Sequence, residues 1–166
     1  MPGYFPHFLI LKLATLLYIK NSKNEFLLLE RAKDPNKGLV SPPGGKLKTD
    51  IPESPFACAV REANEECGLV SDCNDWKLRG IITEFEYPAL GNIMIFIMEY
   101  KKPFDTLPNE FSEGKFKFVS PENFKNYNIP ETDKLFLWNF VLNNDDFFSI
   151  HIDCSVNPYK LTTEVK

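Results

Sequence analysis

The sequence has few of the residues that build zinc sites or disulfide frameworks. It contains two histidines and four cysteines in 166 residues, and the cysteines show no C-x-x-C spacing. A zinc site requires clustered thiolates and imidazoles, so this class of site is disfavoured. Isolated cysteines are typical of small buried residues that stay reduced, which predicts a cytoplasmic protein.

Long apolar runs and an excess of positive charge are also missing. No segment reaches the roughly 20 apolar residues of a membrane-spanning helix, so no membrane association is expected. The apolar stretch 8–19 is interrupted by Lys12 and lacks the flanking features of a signal sequence, and we interpret it as a buried strand. The net charge of −4 disfavours general nucleic-acid binding, which requires a basic surface.

The chain does contain enough apolar material for one well-packed domain. Its fifteen phenylalanines predict a filled interior, and neither a repeat nor a linker divides the sequence. We therefore expect a single domain over residues 1–166, with a loose polar tail after about residue 158. The pattern leaves the oligomeric state open.

The spacing of apolar residues predicts the order of the secondary-structure elements. Strands are expected at 8–19, 25–31, 76–86, 92–101, 115–119 and 147–152, and helices at 55–67, just after Pro121 and at 132–142. The polar turn 21–24 predicts a hairpin between the first two strands.

The predicted helix 55–67 carries an unusual cluster of acids. Glu62, Glu65 and Glu66 are spaced i, i+3 and i+4, so they project from one side, while the apolar residues of the helix form a stripe on the other. Ser54 is placed to cap its start and Gly68 to end it. Like charges this close repel one another unless a cation collects them, and oxygen ligands suit Mg²⁺. The alternative is an ordinary solvated charged face.

The segment from Gly45 to Leu69 resembles the Nudix box, written Gly-x5-Glu-x7-Arg-Glu-U-x-Glu-Glu-x-Gly-U with U an aliphatic residue. Every specified position after the first glycine is matched, by Glu53, Arg61, Glu62, Ala63, Glu65, Glu66, Gly68 and Leu69. Seven residues rather than five separate Gly45 from Glu53, so the loop 46–52 carries a two-residue insertion. The resemblance implies the Nudix fold, an α+β class fold in which a mixed β-sheet lies between helices in an α/β/α sandwich.

The resemblance also implies an activity, a cofactor and a partner. Relatives are Mg²⁺-dependent hydrolases, with Mn²⁺ as a substitute, that cleave a phosphoanhydride bond in a nucleoside diphosphate linked to another group. Glu62, Glu65 and Glu66, with the carbonyl of Gly45, would then be metal ligands. The other two charged residues of the box, Arg61 and Glu53, would orient the ligand carboxylates. A small nucleotide is the expected partner.

Five charged residues outside these positions are candidates for further roles. Arg31 and Lys46 are candidates for phosphate contacts, and Glu110 and Glu113 for the general base. Each could equally be a solvated surface charge. Glu131 precedes the last predicted helix and is a candidate for contacting a purine base. The alternative is that this turn only caps the helix.

The substrate remains open between several classes. An oxidised or ordinary nucleoside triphosphate is the first candidate, because the small chain favours a nucleotide-pool enzyme. Dinucleoside polyphosphates, ADP-ribose and RNA ends are alternatives, and the position of Tyr87 gives the first of these weak support. A non-catalytic nucleotide-binding module is a different class of function, which the complete set of box acids disfavours.

Overall fold

The computed structural model describes residues 10–166, so the first two residues of the predicted strand 8–19 lie outside the described part of the chain. The described residues form nine strands and two α-helices. The elements are β1 (Lys12–Tyr18), β2 (Phe26–Arg31), β3 (Val40–Ser41), β4 (Gly44–Lys46), α1 (Pro55–Cys67), β5 (Trp76–Tyr87), β6 (Gly91–Tyr100), β7 (Gly114–Val119), α2 (Trp138–Asn143), β8 (Phe148–Asp153) and β9 (Lys160–Val165).

The larger of two sheets is mixed, as predicted. Its strand order is β4-β1-β6-β5-β8-β9, and the smaller sheet has the order β3-β2-β7. β1 runs parallel to β6 and β5 runs parallel to β8, whereas the other neighbouring strands are antiparallel. The predicted α+β class with a mixed sheet is confirmed.

Strand β1, which lies between β4 and β6, shows why the larger sheet is covered on both faces. Leu17 packs in an apolar cluster with Ala59 and Ala63 of α1. Tyr18 points to the other face and belongs to a second cluster with Leu137 and Trp138, at the start of the C-terminal helix. Because successive side chains of a strand alternate between faces, one apolar strand supplies both cores of the sandwich.

The hairpin predicted for the first two strands forms only next to its turn, where the Leu27 N–H also donates to the Ile19 carbonyl at 2.8 Å. The turn itself exists, with the Asn21 N–H donating to the Glu25 carbonyl at 3.0 Å, and one isolated bridge joins Lys20 to Phe26. Beyond that bridge, β1 pairs with β4 and β6, while β2 pairs with β3 and β7. Both edges of β1 are taken by distant segments, and a turn signal alone does not reveal such pairings.

The loose tail predicted after residue 158 is also wrong. Residues Lys160–Val165 form β9, which pairs antiparallel with β8 from Asp153↔Lys160 to Ser149↔Val165. The side chains of β9 are mostly exposed, but Leu161 packs against the core on the α2 side of the sheet. β8 would otherwise present an unpaired edge, so the polar segment is ordered by backbone pairing rather than by burial.

The C-terminal helix lies where it was predicted but does not start as a regular α-helix. Its first turns, Asp133–Leu137, are wider π-type turns, and α2 continues from Trp138. Within residues 10–166, no helix combines the length and the hydropathy needed to cross a membrane.

We predict that β9 contributes measurably to stability. Removing residues 159–166 should lower the free energy of unfolding by about 1–2 kcal/mol, because β8 loses its backbone partner and Leu161 leaves the core. Chemical denaturation would measure the change, and removal of Lys166 alone is the control. Equal stability of both truncated proteins and the full chain would contradict a structural role for β9.

Candidate active site

A cleft of about 500 Å³ runs along β1. One end is lined by the glycines of β4 and by Glu62 and Glu66 of α1. The other end is lined by Glu84 of β5 and by the start of the C-terminal helix, including Asp133. Acidic groups therefore lie at both ends of the cleft.

Helix α1 is fixed in the orientation that its sequence predicted. The Ser54 Oγ accepts a hydrogen bond from the Ala57 N–H at 3.1 Å, and Gly68 ends the helix at φ 66°. Ala59 and Ala63 are fully buried on the core side. The adjoining side of the helix contacts β4, and it carries Glu62 and Glu66, which flank the buried stripe, to the cleft.

The backbone of β4 lies against β1 on one side and against Glu62 on the other, with no space left for a Cβ unless a neighbour moves. A Cβ on Gly45 would lie 2.2 Å from the Glu62 Oε1, and a Cβ on Gly44 would lie 2.1 Å from the Thr15 carbonyl oxygen. The Gly45 carbonyl accepts a long hydrogen bond of 3.4 Å from the Thr15 hydroxyl. The two-residue insertion in loop 46–52 therefore leaves Gly45 beside the box helix.

Arg61 connects the box helix to this loop. Its guanidinium lies 2.5 Å from the Glu53 carboxylate, 2.7 Å from Glu62 and 3.3 Å from Glu65. It also donates to the Lys46 carbonyl at 3.1 Å. Hydrogen bonding to Arg61 lowers the pKa of Glu53 to about 2. Arg61 thus contacts Glu53 and Glu62 at once, and its role in orienting the metal-binding carboxylates stays a prediction.

Glu66 has the least satisfied carboxylate at this end of the cleft. Its Oε2 is buried and has no hydrogen-bond partner among residues 10–166. Burial, Glu62 and Glu113 together raise the pKa of Glu66 to about 8, and burial raises the pKa of Glu62 despite its contact with Arg61. A buried carboxylate oxygen without a donor, next to two further acids, is an arrangement that a cation would stabilise.

The donors at this end fit a hard divalent cation. Glu62, Glu66 and Glu113, with the Gly45 carbonyl, offer only oxygen, which is the ligand type of Mg²⁺. Within residues 10–166, no three acidic, histidine or cysteine side chains converge into a preformed metal site. Glu65 does not line the cleft and its side chain is 58% exposed, so its ligand role stays a prediction.

The structure separates the remaining candidates. Arg31, Lys46 and Glu113 line the same cleft as the box acids. Glu110 lies on the surface, 3.9 Å from Lys115 with 64% of its side chain exposed. Glu131 is exposed, and the cleft is lined by its neighbours on either side instead.

Two buried acids at the far end were missed by the sequence reasoning. Glu84 is 5% exposed and Asp133 is 6% exposed. Burial raises the pKa of Glu84 to about 7, and burial together with Glu84 raises the pKa of Asp133 to about 8. Glu84 lies two residues after the buried Ile82, on the same face of the strand. An acidic residue at a position where the strand pattern predicts a core-facing side chain was therefore the signal that could have revealed it. The turn that contains Asp133 had the alternative interpretation of a helix cap, but Thr132, at the start of the π-type turns, makes no side-chain capping bond.

We predict that Arg61→Ala lowers the free energy of unfolding by about 2–3 kcal/mol, because Glu53 and Glu62 lose their shared cation while partly buried. Urea denaturation measures the effect. Lys102→Ala, which breaks an exposed ion pair with Asp75, is the matched control and should cost less than about 1 kcal/mol. Equal stability of the two variants would contradict the orienting role of Arg61.

We also predict a pH effect from Glu84 and Asp133. Their pKa values in the folded protein are raised, so the folded state keeps protons that the unfolded chain releases from about pH 4 upward. Stability should therefore fall as the pH rises to about 8. The double variant Glu84→Gln/Asp133→Asn should reduce this slope to the part that Glu62 and Glu66 contribute, and be more stable than wild type at pH 8.5 by on the order of 3 kcal/mol.

Denaturation curves in EDTA from pH 5 to pH 8.5 measure this difference. The control is Glu122→Gln/Asp146→Asn, which changes two exposed acids of the same types. It should leave the slope of wild type unchanged. Parallel curves for all three proteins would show that the two buried acids titrate normally.

Several solved structures share this fold. The MutT protein from Bacillus halodurans is 22% identical, with a TM-score of 0.68 over 90% of this chain and 97% of that chain. The MutT protein from Methanosarcina mazei Go1 is 23% identical, with a TM-score of 0.67 over 82% and 96%. The NUDIX domain of Shewanella oneidensis NrtR, complexed with ADP ribose, is 17% identical, with a TM-score of 0.64 over 84% and 92%. At these identities the likeness establishes the fold.

The comparison with protein families is more specific. The family described as NUDIX domain matches residues 11–140, which is most of the chain. The match includes the box helix, the glycines of β4 and every residue discussed above that lines the cleft. The chain therefore belongs to the Nudix hydrolase family.

Proposed function

We propose that this protein is a Mg²⁺-dependent pyrophosphohydrolase that cleaves a phosphoanhydride bond in a nucleoside diphosphate linked to another group. A nucleoside triphosphate, ordinary or oxidised, is the first substrate candidate. The observation that carries the proposal is the buried, unpartnered Oε2 of Glu66 beside Glu62, in a cleft that also holds Arg31 and Lys46. Acids that require a cation and bases that attract phosphate thus face the same space.

The charged residues at the β4 end of the cleft fall into groups with different tasks in the proposed reaction. Arg31 and Lys46 bind phosphate oxygens and hold the chain of phosphates in the cleft. Glu62 and Glu66 hold Mg²⁺, with Arg61 keeping Glu62 in position. The bound Mg²⁺ supplies neutralisation of phosphate charge and activation of the attacking water.

Glu113 is the proposed general base. It lies in the cleft and close enough to Glu62 and Glu66 to raise the pKa of both carboxyl groups. In the proposed step its carboxylate takes one proton from water while the water oxygen bonds to phosphorus. The bond between phosphorus and the bridging oxygen breaks, and the leaving phosphate carries away the electron pair. Glu110, exposed and next to Lys115, is the less suitable of the two acids predicted for this role.

The partner and the location follow from the same proposal. The NrtR NUDIX domain has been solved with ADP ribose, itself a nucleoside diphosphate joined to a second group. A small nucleotide of this kind is the proposed partner. The four cysteines are unpaired, which agrees with a reducing compartment such as the cytoplasm.

We predict that Glu66→Gln lowers turnover by at least about 100-fold without unfolding the protein, since the change removes a charged ligand but keeps the size of the side chain. Glu62→Gln should lower turnover to a similar extent. Glu122→Gln, at an exposed acid away from the cleft, is the matched control. Phosphate and pyrophosphate release from a panel of nucleotides, with and without Mg²⁺, gives the rates.

The same proteins allow a test that does not depend on turnover. Mg²⁺ should raise the melting temperature of wild type but not that of Glu66→Gln, because a ligand that binds only the folded state stabilises it. Hydrolysis in ¹⁸O-labelled water identifies the phosphorus that is attacked and separates the substrate classes. Full wild-type activity in excess EDTA would overturn the proposal.

A further inference from the structure

Glu113 lies in a two-residue turn that leads into β7. The Phe111 N–H donates to the Gly114 carbonyl at 3.0 Å, and the Gly114 N–H donates to the Phe111 carbonyl at 3.1 Å. Only Ser112 and Glu113 lie between these two residues. Because reciprocal backbone bonds close the turn on both sides, the backbone of Glu113 has little freedom to move.

The same turn is joined to the end of β2. Gly114 pairs with Arg31 in the antiparallel register of β2 and β7. The next residue after this strand, Ala32, donates its N–H to the Glu113 carbonyl at 2.8 Å. Arg31 and Glu113 both line the cleft. The smaller sheet therefore sets the spacing between the arginine proposed to bind phosphate and the acid proposed as general base.

The backbone approaches closest at Gly114. A Cβ on this residue would lie 2.0 Å from the Glu30 carbonyl oxygen and 3.1 Å from the Leu29 Cδ1. The first of these atoms belongs to the backbone of β2, which cannot turn aside as a flexible side chain can. A side chain at position 114 would therefore push the start of β7, and the turn with it, away from β2.

The first residue of the turn is anchored by its ring. Phe111 stacks on Phe116 of β7, with the ring centroids 5.6 Å apart and the planes 10° from parallel. Phe116 is 7% exposed and belongs to the apolar cluster that includes Ala59 and Ala63 of the box helix. The turn that carries Glu113 and the helix that carries the metal-binding acids thus pack on one core.

We propose that Phe111 and Gly114 are positioning residues for the general base Glu113. The inference rests on the proposed function, because it assumes that Glu113 takes the proton of the attacking water. Neither Phe111 nor Gly114 lines the cleft, so both act through the turn. A general base must lie within about 3 Å of the atom that it deprotonates, and a displacement of about 1 Å can lower the rate about 100-fold.

The test uses Phe111→Leu, which keeps an apolar side chain but removes the ring stack. It should lower kcat at least about 10-fold and change KM by less than about 2-fold, because the phosphate-binding residues are untouched. Phe111→Tyr keeps the ring and should retain most of the wild-type kcat. Phe104→Leu is the matched control, since Phe104 is also partly buried against the same apolar cluster but lies outside the turn. It should leave kcat unchanged.

A double-mutant cycle distinguishes positioning from a general loss of structure. In the background of Glu113→Gln, Phe111→Leu should cause no further loss of kcat, because the position of the base matters only when the base is present. The rise in melting temperature on addition of Mg²⁺ should be the same in Phe111→Leu and in wild type. An equal loss of kcat in both backgrounds, or in Phe111→Leu and Phe104→Leu alike, would overturn the inference.

Amide hydrogen exchange separates this inference from the proposed function. Phe111→Leu should speed the exchange of the Gly114 and Ala32 N–H groups, whose bonds close and anchor the turn. Faster exchange in this variant together with full turnover in Glu113→Gln overturns only the role of Glu113 as base. Unchanged exchange and unchanged kcat in Phe111→Leu, with Glu113→Gln inactive, overturn the positioning roles alone. Gly114→Ala should match Phe111→Leu, and if it does not fold, the Phe111 variants still decide the matter.

Discussion

The contact between the β4 backbone and the carboxylates of α1 governs the rest of this site. Gly45 lies so close to Glu62 that a single added carbon would overlap the carboxylate. This approach closes one end of the cleft, and Arg61 holds the arrangement by bonding to the helix acids and to the loop carbonyl of Lys46. A rigid helix and a glycine backbone together place acids where flexible side chains alone could not hold them.

Charge, rather than shape alone, divides the cleft into two parts. At the β4 end the acids are accompanied by Arg31 and Lys46, so anionic groups and a cation are accommodated together. At the far end Glu84 and Asp133 form no ion pair with a basic residue among the described residues; burial raises the pKa of both, and Glu84 raises that of Asp133 further. Acidic side chains at the two ends of the cleft thus lie in different electrostatic surroundings, which are set by their neighbours.

Local sequence patterns predicted the parts of the molecule that are determined locally. The box helix, its cap at Ser54 and its end at Gly68 follow from spacing within about fifteen residues, and they are found where the pattern placed them. The partners of β1 and the strand at 160–165 depend on segments far apart in the chain, so a turn signal and a polar composition misled the prediction. Glu84 and Asp133 were missed for the same reason, because their burial arises only when the sheet and the C-terminal helix meet. The sequence could not distinguish Glu110 from Glu113 as candidates for the general base. Only the path of their loop places Glu113 in the cleft and Glu110 on the surface.

The way in which Glu53 is bound explains how the box accommodates a longer loop. Its carboxylate accepts hydrogen bonds from the Lys48 N–H at 2.9 Å and from Arg61, so both ends of the loop are fixed independently of the residues between them. For a flexible loop, an increase from five to seven residues costs only about 0.3 kcal/mol of closure entropy. The length of this segment is therefore free to vary during evolution while the geometry of the neighbouring acids is preserved. The surface beside the cleft can therefore change shape while the acids of the box helix keep their positions.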